Sequence, residues 1–411
     1  MQYYNKVKNT NILVRYDYME KFMELFKIYL AFVNFIDVVC PNTSRQLWTR
    51  EEFSQTERDM HSLFNQIFEL IKQRNNREFR KFTRLNITTF EHLLRLLKKK
   101  LLKYSQRKPI PPQCRLLITI IYLAFDTPKP LLSMAFRLGM STLRKIISET
   151  CECIAKELSG YFIVNMDDEG YYDQSDAYME ATGLPNCVGS FDAIQFVTER
   201  KTRDPIVLMG SCNTRYQLVN VDVGLIHEIG EKDNVFKKIL EDDLQSLPED
   251  MQLLDASTGM MLTAYMITPS TFPLLKHTMR PYPGVALSED KLHFNERLKK
   301  CSNLLDNSYG VLLHKWRVLQ NKFTCLPDTA CHIVKACVIL HNFAIDHDKS
   351  YFFKELVDHY DEDTQVFKKG VWRETISLPK SKIYENFQCN SGNEGFLNRD
   401  LLKDYLYREN M

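Results

Sequence analysis

The chain has 411 residues, of which 44% are hydrophobic and 26% are charged, and its formal net charge is only +2. This length is enough for two or three domains, and the composition excludes a disordered or fibrous protein. The small net charge by itself does not point to any class of charged partner.

The charges are unevenly distributed along the chain. From Lys72 to Lys108 there are thirteen Lys or Arg residues against two acidic ones, whereas Asp167 to Glu180 is acidic and contains no Lys or Arg. Such blocks are usually solvated surface, but a basic region beside an acidic linker is also typical of nucleic-acid-binding proteins. The basic run over 95–108 is therefore interpreted as a nuclear import signal, a phosphate-contacting face or a solvated helix surface.

The cysteines and the apolar runs indicate the compartment. The eleven cysteines form no CxxC pair, and the N-terminus lacks a signal-peptide pattern. The most apolar run, over 26–39, contains Lys27 and Asp37 and is too short to cross a bilayer. We expect a protein of a reducing compartment, either nuclear or shared with the cytoplasm, that has no membrane partner.

The first part of the chain is predicted to be helical. Apolar residues at helical spacing predict helices over 17–38, 62–74, 88–104 and 113–125, and Thr88 with Glu91 fits a capping box at the start of the third.

A short helix over 131–138, a turn over 139–141 and a longer helix over 142–158 give the layout of a helix-turn-helix. Ser141 is predicted to be the N-cap of the longer helix, which opens with residue types that contact phosphates and base edges: Ser141, Thr142, Arg144 and Lys145. The alternative is an ordinary helical hairpin in a bundle.

The second part alternates strands and helices. Strands are predicted over 186–192, 216–226 and 251–255, and helices over 234–244, 291–323 and 328–343. The first strand is expected to present Asp192 at its end, and Ile194, Phe196 and Val197 are expected to form a second strand or its continuation. Residues 161–183 are predicted to be an acidic linker, and the polar residues from 347 onward a flexible tail.

Three carboxylates stand out in this second part. Asp192 and Asp255 follow short apolar strands, and Asp306 lies on a long predicted helix. Carboxylates converging in this way hold the Mg²⁺ ions of RNase H-like nucleases, which activate a water and stabilise the leaving oxygen. Because the chain has 52 acidic residues, spacing alone does not select these three.

Residues 76–346 resemble the PIF/Harbinger family of DDE transposases and the nucleases derived from them. The family's "GFPN.IGAID" is similar to GLPNCVGSFD at 183–192, and its "C..LHN" is similar to CVILHN at 337–342. The matching segments follow the family's order and are 77–90, 130–157, 183–192, 253–269, 294–319 and 337–342. The resemblance implies a DDE nuclease dependent on Mg²⁺ or another divalent metal, acting on DNA, with a separate Myb/SANT-like protein partner.

The sequence departs from the family at each acid. Gln195 replaces the His that follows the first acid, and an ungapped match places the second acid at Ser257. Asp255 lies two residues earlier, which is about 6.6 Å along a strand. Asp306 replaces the family's Glu, and Asn307 replaces the basic residue after it. These changes predict that the triad is degenerate and that cleavage is lost or impaired.

The sequence therefore predicts an α/β protein in which an all-α helix-turn-helix region precedes an RNase H-like mixed α/β domain. The expected divisions are a helical extension over 1–75, the helix-turn-helix region over 76–160, the linker over 161–183, the nuclease domain over 184–346 and the tail over 347–411. We expect a domesticated transposase acting as a nuclear DNA- or chromatin-associated adaptor. The alternatives are an active Mg²⁺-dependent endonuclease using Asp192, Asp255 and Asp306, and a purely protein-binding scaffold.

Overall fold

The computed structural model describes residues 51–104, 108–161, 168–199, 204–229, 253–255, 260–361, 366–381 and 391–408. The helices predicted over 17–38 and 234–244 lie outside these residues. A helical region precedes a mixed sheet that is flanked by helices. The predicted mixed α/β class with an N-terminal helical region is thus confirmed.

The helices, numbered in chain order through the described residues, are α1 (Gln55–His61), α2 (Leu63–Lys72), α3 (Asn76–Thr83), α4 (Ile87–Leu101), α5 (Pro112–Phe125), α6 (Lys129–Ala135), α7 (Met140–Glu157), α8 (Asp168–Thr182), α9 (Ile226–Ile229), α10 (Glu289–Lys315), α11 (Pro327–His347), α12 (Trp372–Thr375) and α13 (Asn393–Arg408).

Helix α5 is the centre of the helical region. It is apolar all round and almost completely buried, which is the expected position of such a helix. Helices α4 and α7 pack against it, and α7 also packs against α11 on its other side. One hydrophobic core therefore runs from the helical region through α11 to the sheet, so the two parts of the chain are not separated by solvent.

Two helix starts differ from the prediction. The N-cap of α4 is Asn86, whose side chain accepts a hydrogen bond from the Thr89 amide at 2.7 Å, so the capping box at Thr88 and Glu91 was wrong. The N-cap of α7 is Gly139, and Ser141 lies inside the first turn instead of capping it. At α4 the preference is physical, because asparagine is a better N-cap than threonine.

The strands are β1 (Cys187–Phe196), β2 (Ile206–Cys212), β3 (Leu218–Leu225), β4 (Leu253–Asp255), β5 (Met260–Met261), β6 (Tyr265–Ile267), β7 (Thr278–Met279), β8 (His359–Asp361) and β9 (Val366–Lys368). The main sheet has five strands in the order β3-β2-β1-β6-β7. Strands β1, β2 and β3 form an antiparallel meander, whereas β6 pairs parallel to β1 and β7 parallel to β6. Strands β4 and β5 form a separate two-stranded pair.

The acidic segment before β1 is a helix, so the predicted linker was wrong over 168–182. Between its acidic residues, α8 has an apolar face at helical spacing, on which Tyr171 and Tyr178 are buried. The Tyr178 hydroxyl donates to the Cys212 carbonyl at 2.6 Å, which fixes the helix on the sheet. Acidic composition alone therefore did not identify a linker.

The polar C-terminal stretch is also part of the fold, so the predicted flexible tail was wrong over its described residues. Helix α13 packs against α10 through Leu402 and Leu406, which are fully buried. The indole of Trp372 donates to the Asn307 side-chain oxygen at 2.9 Å. Composition failed here because a few large apolar side chains anchor a mostly polar segment.

Gly310 on α10 is in close contact with the Trp372 ring, which a methyl group at Gly310 would overlap. We predict that Gly310→Ala lowers the free energy of unfolding by about 1–3 kcal/mol, because overpacking forces a buried ring to move. Urea denaturation measures the change. Gly160→Ala is the control, since a methyl group there meets open space. Equal stability of the two variants would contradict the proposed contact.

Candidate active site and nucleic-acid interface

Asp192 lies inside β1, because the residues after it continue the same strand and do not form a second one. Its strand continues to Phe196 because residues 191–196 pair with β2, where Asp192 faces Gly210. Only 16% of the Asp192 side chain is exposed. The carboxylate is thus held at the centre of the sheet, and its Oδ1 accepts a hydrogen bond from the Ala193 amide at 2.7 Å.

Asp306 lies on α10, as predicted, and this helix crosses β1. One turn further, the buried Tyr309 hydroxyl donates to the Asp192 carbonyl at 2.9 Å. This contact fixes the helix against the strand, so that two of the three predicted acids face the same small volume.

Lys380 lies between these two carboxylates. Its ammonium donates to Oδ2 of Asp192 in a very short contact and to Oδ1 of Asp306 at 2.5 Å. The lysine side chain is 41% exposed and that of Asp306 24%. Sequence reasoning missed Lys380 altogether, because it lies 188 positions after Asp192 in a stretch without a motif.

The charges of this cluster do not balance, since two carboxylates share one ammonium. Burial would by itself lower the pKa of Lys380, but Asp192 and Asp306 raise it above its ordinary value. For the Asp192 carboxyl, burial raises the pKa because it disfavours the charged form. The neighbouring Asp306 adds to this increase, and Lys380 opposes it. The ammonium therefore stays protonated and charged at neutral pH.

Of the three other positions singled out in the sequence, the structure describes Asp255 and Gln195. Asp255 is the last residue of β4, as predicted. This strand belongs to the two-stranded pair outside the main sheet. Ser257 lies outside the described residues. Gln195 stands at the position of the family's His. Its backbone N–H donates to the Pro379 carbonyl at 2.8 Å.

As arranged, these side chains do not fit a divalent metal. The space between the two converging carboxylates holds the Lys380 ammonium, and Mg²⁺ needs several oxygen ligands around it. Through the described part of the chain, no group of three His, Cys, Asp or Glu side chains is placed to hold a metal ion.

The predicted DNA-contacting residues lie together at the start of α7. Ser141, Thr142, Arg144 and Lys145 are all exposed, while the next turn buries Leu143 and Ile146 in the core. Arg144 also borders an open pocket of about 370 Å³ between α7, the α5–α6 connection and the segment before α11. Two further cations, Lys129 and Lys322, line this pocket, which is here called the basic pocket.

Comparisons with known proteins find one matching family model and several relatives of this chain. Residues 245–342 match the family model described as DDE superfamily endonuclease. The chain is 24% identical to "Protein ALP1-like" of Arabidopsis thaliana over 241 residues, 51% of this chain and 58% of that protein. It therefore spans a little more than half the length of the plant relative. No solved structure matches it significantly.

The animal relatives are more distant but match over a longer stretch. "Putative nuclease HARBI1" of Mus musculus is 19% identical over 270 residues, which cover 62% of this chain and 74% of that protein. The Homo sapiens protein of the same name is 18% identical over 271 residues. These matches confirm the resemblance predicted from the sequence: the chain is related to the Harbinger transposase-derived nucleases.

Lys380→Met is predicted to destabilise the fold, because it leaves two half-buried carboxylates facing each other. We expect a loss of about 1–3 kcal/mol, less than for a fully buried pair because Lys380 is partly exposed. Thermal and urea unfolding measure it. Lys156→Met is the control, since Lys156 is exposed and its ion pair among the described residues is with Glu152. Restoration of stability by Asp306→Asn in the Lys380→Met background would assign the loss to carboxylate repulsion.

Proposed function

We propose that the chain is a domesticated Harbinger-type transposase that binds DNA as a nuclear, chromatin-associated adaptor and no longer cleaves phosphodiester bonds efficiently. The sheet order β3-β2-β1-β6-β7, with three antiparallel strands followed by two parallel ones, supports the RNase H-like fold in this proposal. The observation that carries the DNA-binding function is the basic pocket beside the start of α7.

The three cations of the basic pocket outnumber the acids of its lining. Among the described residues, no carboxylate forms an ion pair with Lys129, Arg144 or Lys322. Asp126 is the single acid of the lining, and it accepts a hydrogen bond from Asn321 at 2.8 Å. A cleft with excess positive charge attracts phosphate groups.

Lys129 is held in the pocket by its neighbours. Its ammonium donates to the Tyr122 hydroxyl at 3.2 Å and lies 4.7 Å from the centre of that ring. Burial lowers the pKa of Lys129, Cys325 and Asp126 oppose this, and the nearby Arg144 adds to it. A duplex backbone bound here would lie beside the exposed start of α7.

The proposed helix-turn-helix rests on the same elements. Helices α6 and α7 pack together across a four-residue connection, and α7 presents its N-terminal turn to solvent. This is the end of a recognition helix that contacts bases in helix-turn-helix proteins. Nuclear localisation and a Myb/SANT-like partner belong to this proposal through the family resemblance. No described helix is long and apolar enough to cross a membrane.

DNA binding is tested by fluorescence anisotropy with a labelled 20-base-pair duplex over a range of salt concentrations. We predict that Arg144→Gln and Lys145→Gln each weaken binding and lower the salt slope by about 1, the value for one lost phosphate contact. Lys156→Gln, at the other end of α7, is the matched control and should bind as the wild type does. Unchanged affinity and salt slope in both test variants would favour the protein-binding scaffold.

Loss of cleavage is tested with supercoiled plasmid in the presence of Mg²⁺ or Mn²⁺. We predict that the wild-type chain and Asp192→Ala nick the plasmid equally slowly, at the rate of a protein-free control. The alternative function is an active Mg²⁺-dependent endonuclease that uses Asp192, Asp255 and Asp306. Metal-dependent nicking by the wild type that disappears in Asp192→Ala would establish that alternative.

A further inference from the structure

We propose that Lys380 is a built-in cation that takes the place of a divalent metal between Asp192 and Asp306. The acid pair then ties the C-terminal segment to the sheet instead of activating water. Like the proposed function, this inference implies that cleavage is lost. It concerns metal binding, however, and is tested without any DNA.

The ammonium of Lys380 lies between the two carboxylates. A metal ion in a DDE-type site joins carboxylates that come from a strand and from a helix. Lys380 makes the same connection, because its Nζ contacts the carboxylate of Asp192 on β1 and that of Asp306 on α10. An ammonium has three donors, enough for both oxygens, and it excludes a second cation from the same space.

Backbone pairing places Lys380 beside Asp192 and Asp306. Strand β6 pairs with β1 only as far as Ser190, which leaves the edge of β1 open beyond that point. The residues around Lys380 fill this edge: the Gln195 amide donates to the Pro379 carbonyl at 2.8 Å, and the Ser381 amide donates to the Ala193 carbonyl at 2.9 Å.

The pairing also fixes the direction of the side chain. Lys380 pairs directly with Ile194 in antiparallel orientation, so their side chains lie on the same face of the sheet. Asp192, two residues from Ile194, is on that face too. A shift of one residue in the C-terminal segment would turn the lysine to the opposite face.

The segment before Lys380 is anchored to α10. The Trp372 indole is bonded to Asn307, the residue after Asp306, and its ring lies against Gly310. The adjacent Arg373 forms a bidentate ion pair with Asp358 at 2.6–2.9 Å. The segment that delivers the ammonium is therefore attached to the same helix that carries the second carboxylate.

The test measures binding of Mn²⁺ to the full chain at constant pH, by the electron paramagnetic resonance signal of free Mn²⁺. We expect no Asp192-dependent binding by the wild type, and a gain of at least about tenfold in affinity in Lys380→Ala. The gain should be absent from Lys380→Arg, which keeps the charge, and abolished when Asp192→Asn is added to Lys380→Ala.

Lys403→Gln is the matched control. Lys403 also joins two carboxylates, Asp290 at 3.0 Å and Asp404 at 2.9 Å, and its side chain is only 15% exposed. This variant should gain no Mn²⁺ binding that depends on Asp192. Lys380→Gln, which keeps the length of the side chain, replaces Lys380→Ala if the latter does not fold.

Two outcomes would overturn the inference. One is Mn²⁺ binding by the wild type that Asp192→Asn abolishes, since the unmodified chain would then admit the metal beside Lys380. The other is a folded Lys380→Ala and a folded Lys380→Gln that bind Mn²⁺ no better than the wild type. The wild-type measurement needs no Lys380 variant, and it is independent of whether the chain binds DNA.

Discussion

The contact of Lys380 with Asp192 and Asp306 is the interaction on which the centre of this protein depends. It joins three elements that are remote in sequence: a central strand, a long helix and the C-terminal segment. Two carboxylates that face each other in a half-buried position repel, and their burial has to be offset by a cation. In this chain the cation is covalently part of the protein, so the arrangement persists at any metal concentration.

Two residues of α10 contact the C-terminal segment that carries Lys380. Asn307 stands where the Harbinger family has a basic residue, and its side chain accepts a hydrogen bond from Trp372. Gly310, which matches the family's Gly, leaves room for the same indole. The departure at Asn307 is thus a contact between α10 and the C-terminal segment.

The basic pocket is a second surface, which belongs to the helical region. Its three cations share one acid, Asp126, whereas each of the two carboxylates of the acid site contacts Lys380. In the proposed function, the basic pocket binds DNA and the closed acid site does not cut it. The shared core through α5, α7 and α11 holds the pocket rigidly on the sheet domain.

The sequence by itself determined the elements whose signal is local. Helices α4, α5, α7, α10 and α11 were predicted because their apolar residues recur at helical spacing. The family resemblance located Asp192 and Asp306 and identified Gln195 and Asn307 as departures.

Only the tertiary structure decided what surrounds those acids. The sequence left open whether the residues after Asp192 form a second strand or continue the first. Pairing with β2 and with the segment around Lys380 carries β1 on to Phe196. The acidic stretch of α8 and the polar C-terminus were misjudged because composition records average polarity, whereas folding depends on which few side chains are buried. The physical reason is general: strand pairing and ion pairs join residues far apart in the chain, and a local pattern contains no information about the partner.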